Sequence, residues 1–316
     1  MKLIILILFF ITSLYSMKIN EPDAIFKANG AVTDIVYKES KLYVATDSSG
    51  VDIFDTKTQK LLTTLKIGKI TDFMGDIIDS KIYSIDILND KILIVSQAEK
   101  GARRVHIYEN NTFKLIDEGL NKLFIAKAKF INENTIIVAL LGNEIISYKL
   151  QEKKKSYSVQ VSQSKFSDFT LNENKSEIII ADESGTLQVY KTADGSFIKE
   201  FSGQNLDNVF QVDYKNGIIL TAGQDRRAVV YSKNSTYYKK APFLIYSVGL
   251  SPSGKIAAYA SDENNNVTLF KTSTQSRLGI YGKNKMTLTK ILFIDESSFF
   301  VASDDKTVNF YKVKSN

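Results

Sequence analysis

A short apolar strand ending in an aromatic residue recurs along the whole chain. The aromatic position falls at Phe54, Tyr108, Tyr148, Tyr190, Tyr231, Phe270 and Tyr311. Successive members are 54, 40, 42, 41, 39 and 41 residues apart, close to the period of about 40–45 residues that is typical of four-stranded propeller blades. The pattern predicts seven copies of one β unit, and we expect the seven rings to be mostly buried between adjacent units.

Every repeat also contains a polar turn at the same internal place, followed by a second apolar strand. Asn, Asp, Gly and Ser favour such turns because they tolerate left-handed backbone or hydrogen-bond to it locally. The strands after the turns read KLYVAT, KILIVS, TIIVAL, EIIIAD, IILTAG, KIAAYA and SFFVAS. A looser outer strand, such as 61–66 or 196–201, completes the unit. Because almost no segment has helical periodicity, the sequence predicts an all-β, seven-bladed β-propeller.

The N-terminal segment can supply the strand that the last repeat lacks. The seventh repeat stops at Val313, directly after its aromatic strand, and therefore lacks an outer strand of its own. The segment Ala24–Lys27 precedes the first repeat and has no other partner, and an unpaired sheet edge is prone to aggregation. We expect this N-terminal strand to pair beside Val308–Tyr311, so that it closes the propeller on the C-terminal blade.

The first sixteen residues have the layout of a secretory signal peptide. Lys2 supplies a positive start, Leu3–Ile11 is a run of nine apolar residues, and the more polar stretch Thr12-Ser13-Leu14-Tyr15 leads to the small residue Ser16. Nine residues are too few to cross a bilayer core, which needs about 20. We therefore expect residues 1–16 to be a cleaved signal peptide and 17–316 to form the propeller. The mature protein is expected to be a periplasmic monomer that is not inserted in a membrane.

Some turns resemble those of WD40-type blades. The segment Ser251-Pro252-Ser253-Gly254-Lys255 stands where that family has its Ser-Pro-Asp-Gly-Lys turn. Asp225 and Asp305 each lie six residues before a terminal aromatic residue, where the family keeps an aspartate that ties neighbouring turns together. The terminal Trp-Asp pair and the Gly-His pair of the family are absent here. We therefore expect blade stability to depend on apolar packing.

As a whole the chain resembles the NapL accessory proteins of periplasmic nitrate reductase systems in ε-proteobacteria. The resemblance rests on the short signal segment, the absence of Cys and Trp, the length, and the stretch LYVATDSSGVDIFDTKTQKLLTTL at 42–65. It implies a role in the assembly or electron supply of a periplasmic respiratory reductase. Two other roles remain open: a scaffold of an outer-membrane assembly machine, and a propeller hydrolase or lactonase.

The composition argues against most catalytic chemistry. There is no cysteine, which removes disulfides, thiolate metal sites and cysteine nucleophiles. The only histidine, His106, lies on the same strand face as Tyr108, and no Gly-x-Ser-x-Gly elbow accompanies it. Acidic pairs such as Asp304-Asp305 are expected to be structural turn residues. We therefore expect no enzyme activity, no cofactor and no metal site.

Charge and one insertion point to a binding face. The formal net charge is +6, and an exported protein does not meet nucleic acid, so we expect the basic residues to serve an acidic protein partner. The longest repeat interval contains an apolar insertion, Ile67–Ser80, which opens on the same face as the loops between second and third strands. The residues expected to bind the partner are Phe73, Met74, Lys100, Arg103, Arg104, Arg226 and Arg227.

Overall fold

A computed structural model describes residues 18–314 of the chain, and the proposed signal segment lies outside these residues. Seven sheets, which we call blades 1–7 in chain order, each contain four antiparallel strands, and the sheet of blade 6 has one added parallel strand. Within a blade the strands are named a to d in the order in which they pair, from the inner strand a to the outer strand d. No helix in the described part of the chain is long and apolar enough to cross a membrane. The fold is therefore the expected all-β, seven-bladed propeller.

The strands match the repeat unit read from the sequence. Blade 1 has β3 (Val32–Lys38), β4 (Lys41–Thr46), β5 (Gly50–Asp55) and β6 (Leu61–Lys66); blade 2 has β9 (Ile82–Leu88), β10 (Lys91–Gln97), β11 (Arg103–Glu109) and β12 (Thr112–Ile116); blade 3 has β13 (Ile125–Asn132), β14 (Thr135–Leu140), β15 (Glu144–Lys149) and β16 (Lys154–Gln160); blade 4 has β17 (Phe166–Leu171), β18 (Glu177–Asp182), β19 (Leu187–Lys191) and β20 (Phe197–Phe201).

The remaining blades follow the same order, and two short additions interrupt it. Blade 5 has β21 (Val209–Lys215), β22 (Ile218–Gly223), β23 (Arg227–Tyr231) and β24 (Thr236–Lys240); blade 6 has β25 (Val248–Leu250), β26 (Ile256–Ala260), β27 (Val267–Lys271) and β28 (Arg277–Tyr281); blade 7 has β29 (Leu288–Asp295), β30 (Ser298–Ser303) and β31 (Thr307–Lys312); the N-terminal strands are β1 (Ile19–Asn20) and β2 (Ala24–Lys27); the additions are the hairpin β7 (Ile70–Thr71) and β8 (Ile77–Ile78) and a 3-10 turn at Glu99–Gly101.

The N-terminal segment closes the ring as expected. Strand β2 is the outer strand of blade 7, with Ala24 opposite Phe310 and Lys27 opposite Thr307. Its Phe26 is almost fully buried and meets Phe54 of blade 1 and Phe300 of blade 7 edge to face, at centroid distances of 5.6 and 5.7 Å. The sequence had not indicated β1, which pairs in parallel with β28 of blade 6. The segment thus joins three blades.

The terminal aromatic residues occupy the seams between blades, as predicted. Six of the seven are buried, and Tyr108 alone is half-buried. Tyr148 of blade 3, for example, belongs to the same apolar cluster as Leu93 and Val95 of blade 2. Each such aromatic side chain therefore buries apolar surface in a contact between two blades. This is the packing expected to hold the propeller together.

The WD40-like turns have the expected structural roles. Gly254 has a φ of +71°, and a Cβ there would come within 2.7 Å of the Lys215 carbonyl oxygen of blade 5. This close approach explains the glycine in the Ser251–Lys255 turn. The Asp225 carboxylate accepts the backbone N–H of Leu206 at 2.8 Å, linking blade 5 to the connection before it.

Candidate functional site

The propeller has two chemically different faces. Because the strands alternate in direction, the d–a connections and b–c turns open on one face, and the a–b and c–d turns open on the other. We call the first the connection face, whose d–a connections are residues 28–31, 67–81, 117–124, 161–165, 202–208, 241–247 and 282–287. The opposite face is the turn face, whose a–b turns are residues 39–40, 89–90, 133–134, 172–176, 216–217, 251–255 and 296–297.

Exposed apolar side chains are unevenly divided between these faces. Among residues 18–314, fourteen large apolar side chains are exposed, and none lies in an a–b or c–d turn. Seven lie on β1, β2 and the outer d strands, around the rim. The other seven lie in five of the d–a connections: Phe73, Met74, Ile77, Phe124, Leu206, Phe243 and Met286.

The insertion after blade 1 carries the most exposed of these side chains. The Asp72 carboxylate accepts the backbone N–H groups of Met74 and Asp76 at 2.8 and 3.0 Å, which shapes a tight turn at the tip of the β7–β8 hairpin. Phe73 is 87% exposed and Met74 is 73% exposed. A local turn therefore presents both apolar residues to solvent on the connection face.

Two of the four arginines expected to bind the partner are engaged within the chain. The Arg103 guanidinium lies 3.5 Å from the centroid of the Tyr83 ring and donates a 2.7 Å hydrogen bond to the Ile125 carbonyl oxygen. Burial lowers the pKa of Arg103. Arg227 donates to the Gln204 carbonyl oxygen at 2.9 Å. Both guanidinium groups therefore brace neighbouring segments of the connection face.

The other basic residues expected to bind the partner are accessible. Lys100 and Arg226 are exposed and Arg104 is half-buried. Within residues 18–314 none of the three makes a salt bridge. Lys100 and Arg104 stand together in blade 2, next to the insertion. Arg226 belongs to blade 5, three blades away around the ring, so the structure divides the predicted residues between two regions of one face.

A charged channel, which the sequence reading missed, runs through the centre of the ring. Aspartate and lysine side chains of the inner a strands line a cavity of about 420 Å³. They pair between blades: Lys290 with Asp34 at 2.5 Å, Lys129 with Asp86 at 3.1 Å, and Lys127 with Asp168 at 2.6 Å.

The channel aspartates also bind the next blade directly. The second oxygens of Asp34, Asp86 and Asp168 accept backbone N–H groups from the inner strand of the following blade, at 3.0, 2.8 and 3.1 Å. Burial raises the pKa of Asp34, but the attraction of Lys290 and two further lysines outweighs it and holds the value below normal. Each of the three carboxylates therefore links blades through hydrogen bonds, and Asp34 does so as an ionised group.

The one histidine has a serine neighbour, but the pair is inaccessible. His106 Nε2 lies 3.1 Å from Ser96 Oγ. Ser96 has no exposed surface and His106 is 8% exposed, so no substrate carbonyl could approach the hydroxyl. Among residues 18–314 no three His, Asp or Glu side chains are grouped to hold a metal ion. The Asp305 carboxylate instead accepts hydrogen bonds from the hydroxyls of Ser303 and Thr307.

Comparison with known proteins identifies the fold and nothing finer. No family model and no curated protein matches the chain. Among solved structures, it is similar to the β-propeller domain of Cps50 (Swd1) from Myceliophteria thermophila, with a TM-score of 0.75 and 11% identity. The match covers 93% of this chain and 99% of that one. No comparison points to the nitrate reductase accessory proteins. The chain therefore has a WD40-like seven-bladed β-propeller fold.

Proposed function

We propose that this protein is a non-catalytic propeller that is exported to the periplasm and binds another protein through its connection face. The observation that carries the proposal is the distribution of exposed large apolar side chains: among residues 18–314, half lie in d–a connections and none lies in an a–b or c–d turn. Aromatic residues and methionine, the types of Phe73, Met74, Phe124, Phe243 and Met286, are enriched at protein interfaces relative to the rest of the surface. Fully burying one of them contributes about 1.5–3 kcal/mol.

In the described part of the chain, the a–b and c–d turns of the turn face carry no exposed large apolar side chain, and they are polar. Hydrogen bonds run from turn to turn across it: Lys38 Nζ donates to the Asn89 carbonyl, the Asn89 amide donates to the Glu133 carboxylate, and Ser253 N–H donates to the Glu296 carboxylate. These contacts join neighbouring blades. They also pair polar groups of the turns within the chain, so that fewer hydrogen-bonding groups remain for a partner protein. This contrast favours the connection face as the docking surface.

For the finer role, we propose an accessory or assembly factor of a periplasmic respiratory reductase, in a nitrate reductase system. This proposal is supported by the resemblance in blade 1, residues 42–65, and by the signal-like residues 1–16. A non-catalytic role is consistent with the burial of Ser96 and His106. The partner is then the reductase or its electron donor.

The test is affinity purification of the tagged protein from the periplasm of its own bacterium. The connection-face variant carries Phe73→Ser, Met74→Ser and Leu206→Ser, three side chains with almost no packing role because they are 87%, 73% and 62% exposed. We expect the wild type to recover a respiratory reductase subunit or its electron donor, and the variant to lose most of it. Circular dichroism spectra and melting curves must show that the variant is folded.

The matched control removes the same number of exposed apolar side chains from the rim. It carries Ile25→Ser, Leu61→Ser and Leu62→Ser, all on outer strands, and it should recover the partner as the wild type does. Equal recovery by all three proteins would refute the docking face. Recovery of outer-membrane barrel assembly proteins in place of a reductase would instead support the scaffold role.

A further inference from the structure

A groove on the connection face lies between two segments of the chain around blade 2. One wall is the b–c turn of blade 2, which includes the 3-10 turn Glu99–Gly101, and the other is the connection 117–124. The groove has a volume of about 520 Å³. Ile116 and Leu120, both almost fully buried, anchor the second wall to the core.

The walls are held in place before any ligand binds. The backbone N–H of Arg103 donates to the Leu123 carbonyl oxygen at 3.2 Å, and its guanidinium donates to the Ile125 carbonyl oxygen at 2.7 Å. Gly101, with a φ of +78°, lies beside Phe124, and a Cβ there would be in ordinary van der Waals contact with the ring at 3.7 Å. Binding to a preformed groove costs less ordering entropy than binding to mobile loops.

The groove combines exposed apolar surface with excess positive charge. Leu115 and Phe124 line it and are 44% and 54% exposed. Four cations, Lys100, Arg103, Arg104 and Lys122, line it against two carboxylates, Glu99 and Asp117. Within residues 18–314, Lys100, Arg104 and Lys122 make no salt bridge. Three cations at a fixed apolar surface are thus available to a ligand.

We propose that this groove binds an extended acidic segment of the partner protein. A large apolar side chain of the segment packs against Leu115 and Phe124, and its carboxylates face Lys100, Arg104 and Lys122. The apolar contact supplies affinity, and the charges select acidic sequences and weaken with added salt. This inference rests on the proposed function, and it adds the chemistry of the segment that is recognised.

The probe is a short synthetic peptide with one phenylalanine flanked on both sides by aspartates, labelled with a fluorophore. Fluorescence anisotropy gives its Kd, and amide NMR shifts locate the site. We expect shifts confined to residues 98–104 and 115–124. Two control peptides replace the phenylalanine with alanine or the aspartates with lysines. We expect each control to bind at least about tenfold more weakly than the probe, a difference in binding free energy of about 1.4 kcal/mol.

Charge reversal in the groove provides the decisive comparison. The double variant Arg104→Glu, Lys122→Glu should weaken peptide binding about tenfold or more. Lys100→Glu, at an exposed site in a loop, should also weaken binding, and its effect on the fold is expected to be small. The matched control is Lys285→Glu, an exposed cation on the same face in the d–a connection 282–287, which should leave the Kd unchanged.

Several results would overturn the groove assignment. They are the absence of binding at millimolar peptide, equal affinity for the lysine peptide, shifts outside the two walls, or an unchanged Kd after charge reversal in the groove. The connection-face variant lacks Phe73, Met74 and Leu206 but keeps the groove, so it should still bind the peptide. Failure of the groove and failure of the docking face are therefore distinguishable.

Discussion

Mild acid should destabilise this protein through its only histidine, His106. The imidazole is 8% exposed, lies 3.1 Å from Ser96 Oγ, and packs edge-on against Phe113 at a centroid distance of 6.3 Å. Burial, assisted by the positive charge of Arg104, lowers the pKa of His106 from 6.5 to about 4. The folded protein thus keeps the ring neutral at pH values where the unfolded chain protonates it.

The sign and size of the effect follow from this difference in pKa. Between the unfolded value of 6.5 and the folded value of about 4, the unfolded state binds more protons, so the free energy of unfolding falls as the pH is lowered. The histidine contribution is complete above pH 6.5 and is lost on acidification towards pH 4. At about 1.4 kcal/mol per pH unit the whole loss is about 3 kcal/mol, of which about 2 kcal/mol is lost by pH 5.

Urea unfolding at pH 8, 7, 6 and 5 measures this loss. The comparison protein is His106→Gln, which does not titrate and keeps an amide that can bond the Ser96 hydroxyl. The carboxylates titrate alike in both proteins, so the difference between their pH profiles isolates the histidine. Because the chain has one histidine, its ring resonance in NMR needs no assignment and reports the folded pKa directly.

Two measurements on His106 would contradict this prediction. A measured pKa close to 6.5 for His106 would mean that the imidazole is solvated in the folded protein. Parallel pH profiles for the wild type and His106→Gln would mean that protonation does not oppose folding. Either result would remove the burial argument, and with it the case that Ser96 and His106 are inaccessible to substrate.

Two further predictions concern the closure of the ring and its channel. Phe26→Ala should lower the free energy of unfolding by about 3–5 kcal/mol. Ile25→Ala, on the exposed side of the same strand, should change it by less than about 0.5 kcal/mol. Equal melting temperatures for the two variants would contradict closure by packing. Asp34→Asn leaves the half-buried Lys290 ammonium, whose side chain is 23% exposed, without its counter-ion and should cost about 1–3 kcal/mol in urea unfolding. Lys215→Gln, at the wetter end of the channel, should cost no more than about 1 kcal/mol.

The strand pattern and the ring closure could be predicted from sequence because they depend on local signals. A strand such as β30, buried along its whole length, reads as a continuous apolar run, and the turns beside it carry Asn, Asp, Gly or Ser. The segment Ala24–Lys27 was identified because blade 7 lacked an outer strand. Strand β1 could not be identified in that way, since its two residues add to a blade that already has four strands.

The channel could not be predicted because its partners are distant in sequence. Lys290 and Asp34 are 256 residues apart, and Lys129 and Asp86 are 43 apart. The strand register shows that four of the channel residues occupy equivalent positions in their blades. Each lies opposite the alanine at the fifth position of the b strand in the same blade: Asp34, Lys127, Asp168 and Lys290. A sequence signal therefore exists, a charged residue at one level of four of the inner strands, but it is visible only once the repeats are aligned by strand pairing.

The difference between the two faces follows from the lengths of their connecting segments. An a–b turn reverses the chain between adjacent strands, and most of these turns have two residues. Both residues are needed to form the turn, so such a turn has none to spare for binding. A d–a connection must cross from the outside of one blade to the centre of the next. The two shortest, 28–31 and 161–165, carry no exposed large apolar residue, while the five longer ones each carry at least one. The longest, 67–81, carries three. The d–a connections that are longer than the crossing requires are thus the ones that expose large apolar side chains. This arrangement is expected if the connections are used for binding.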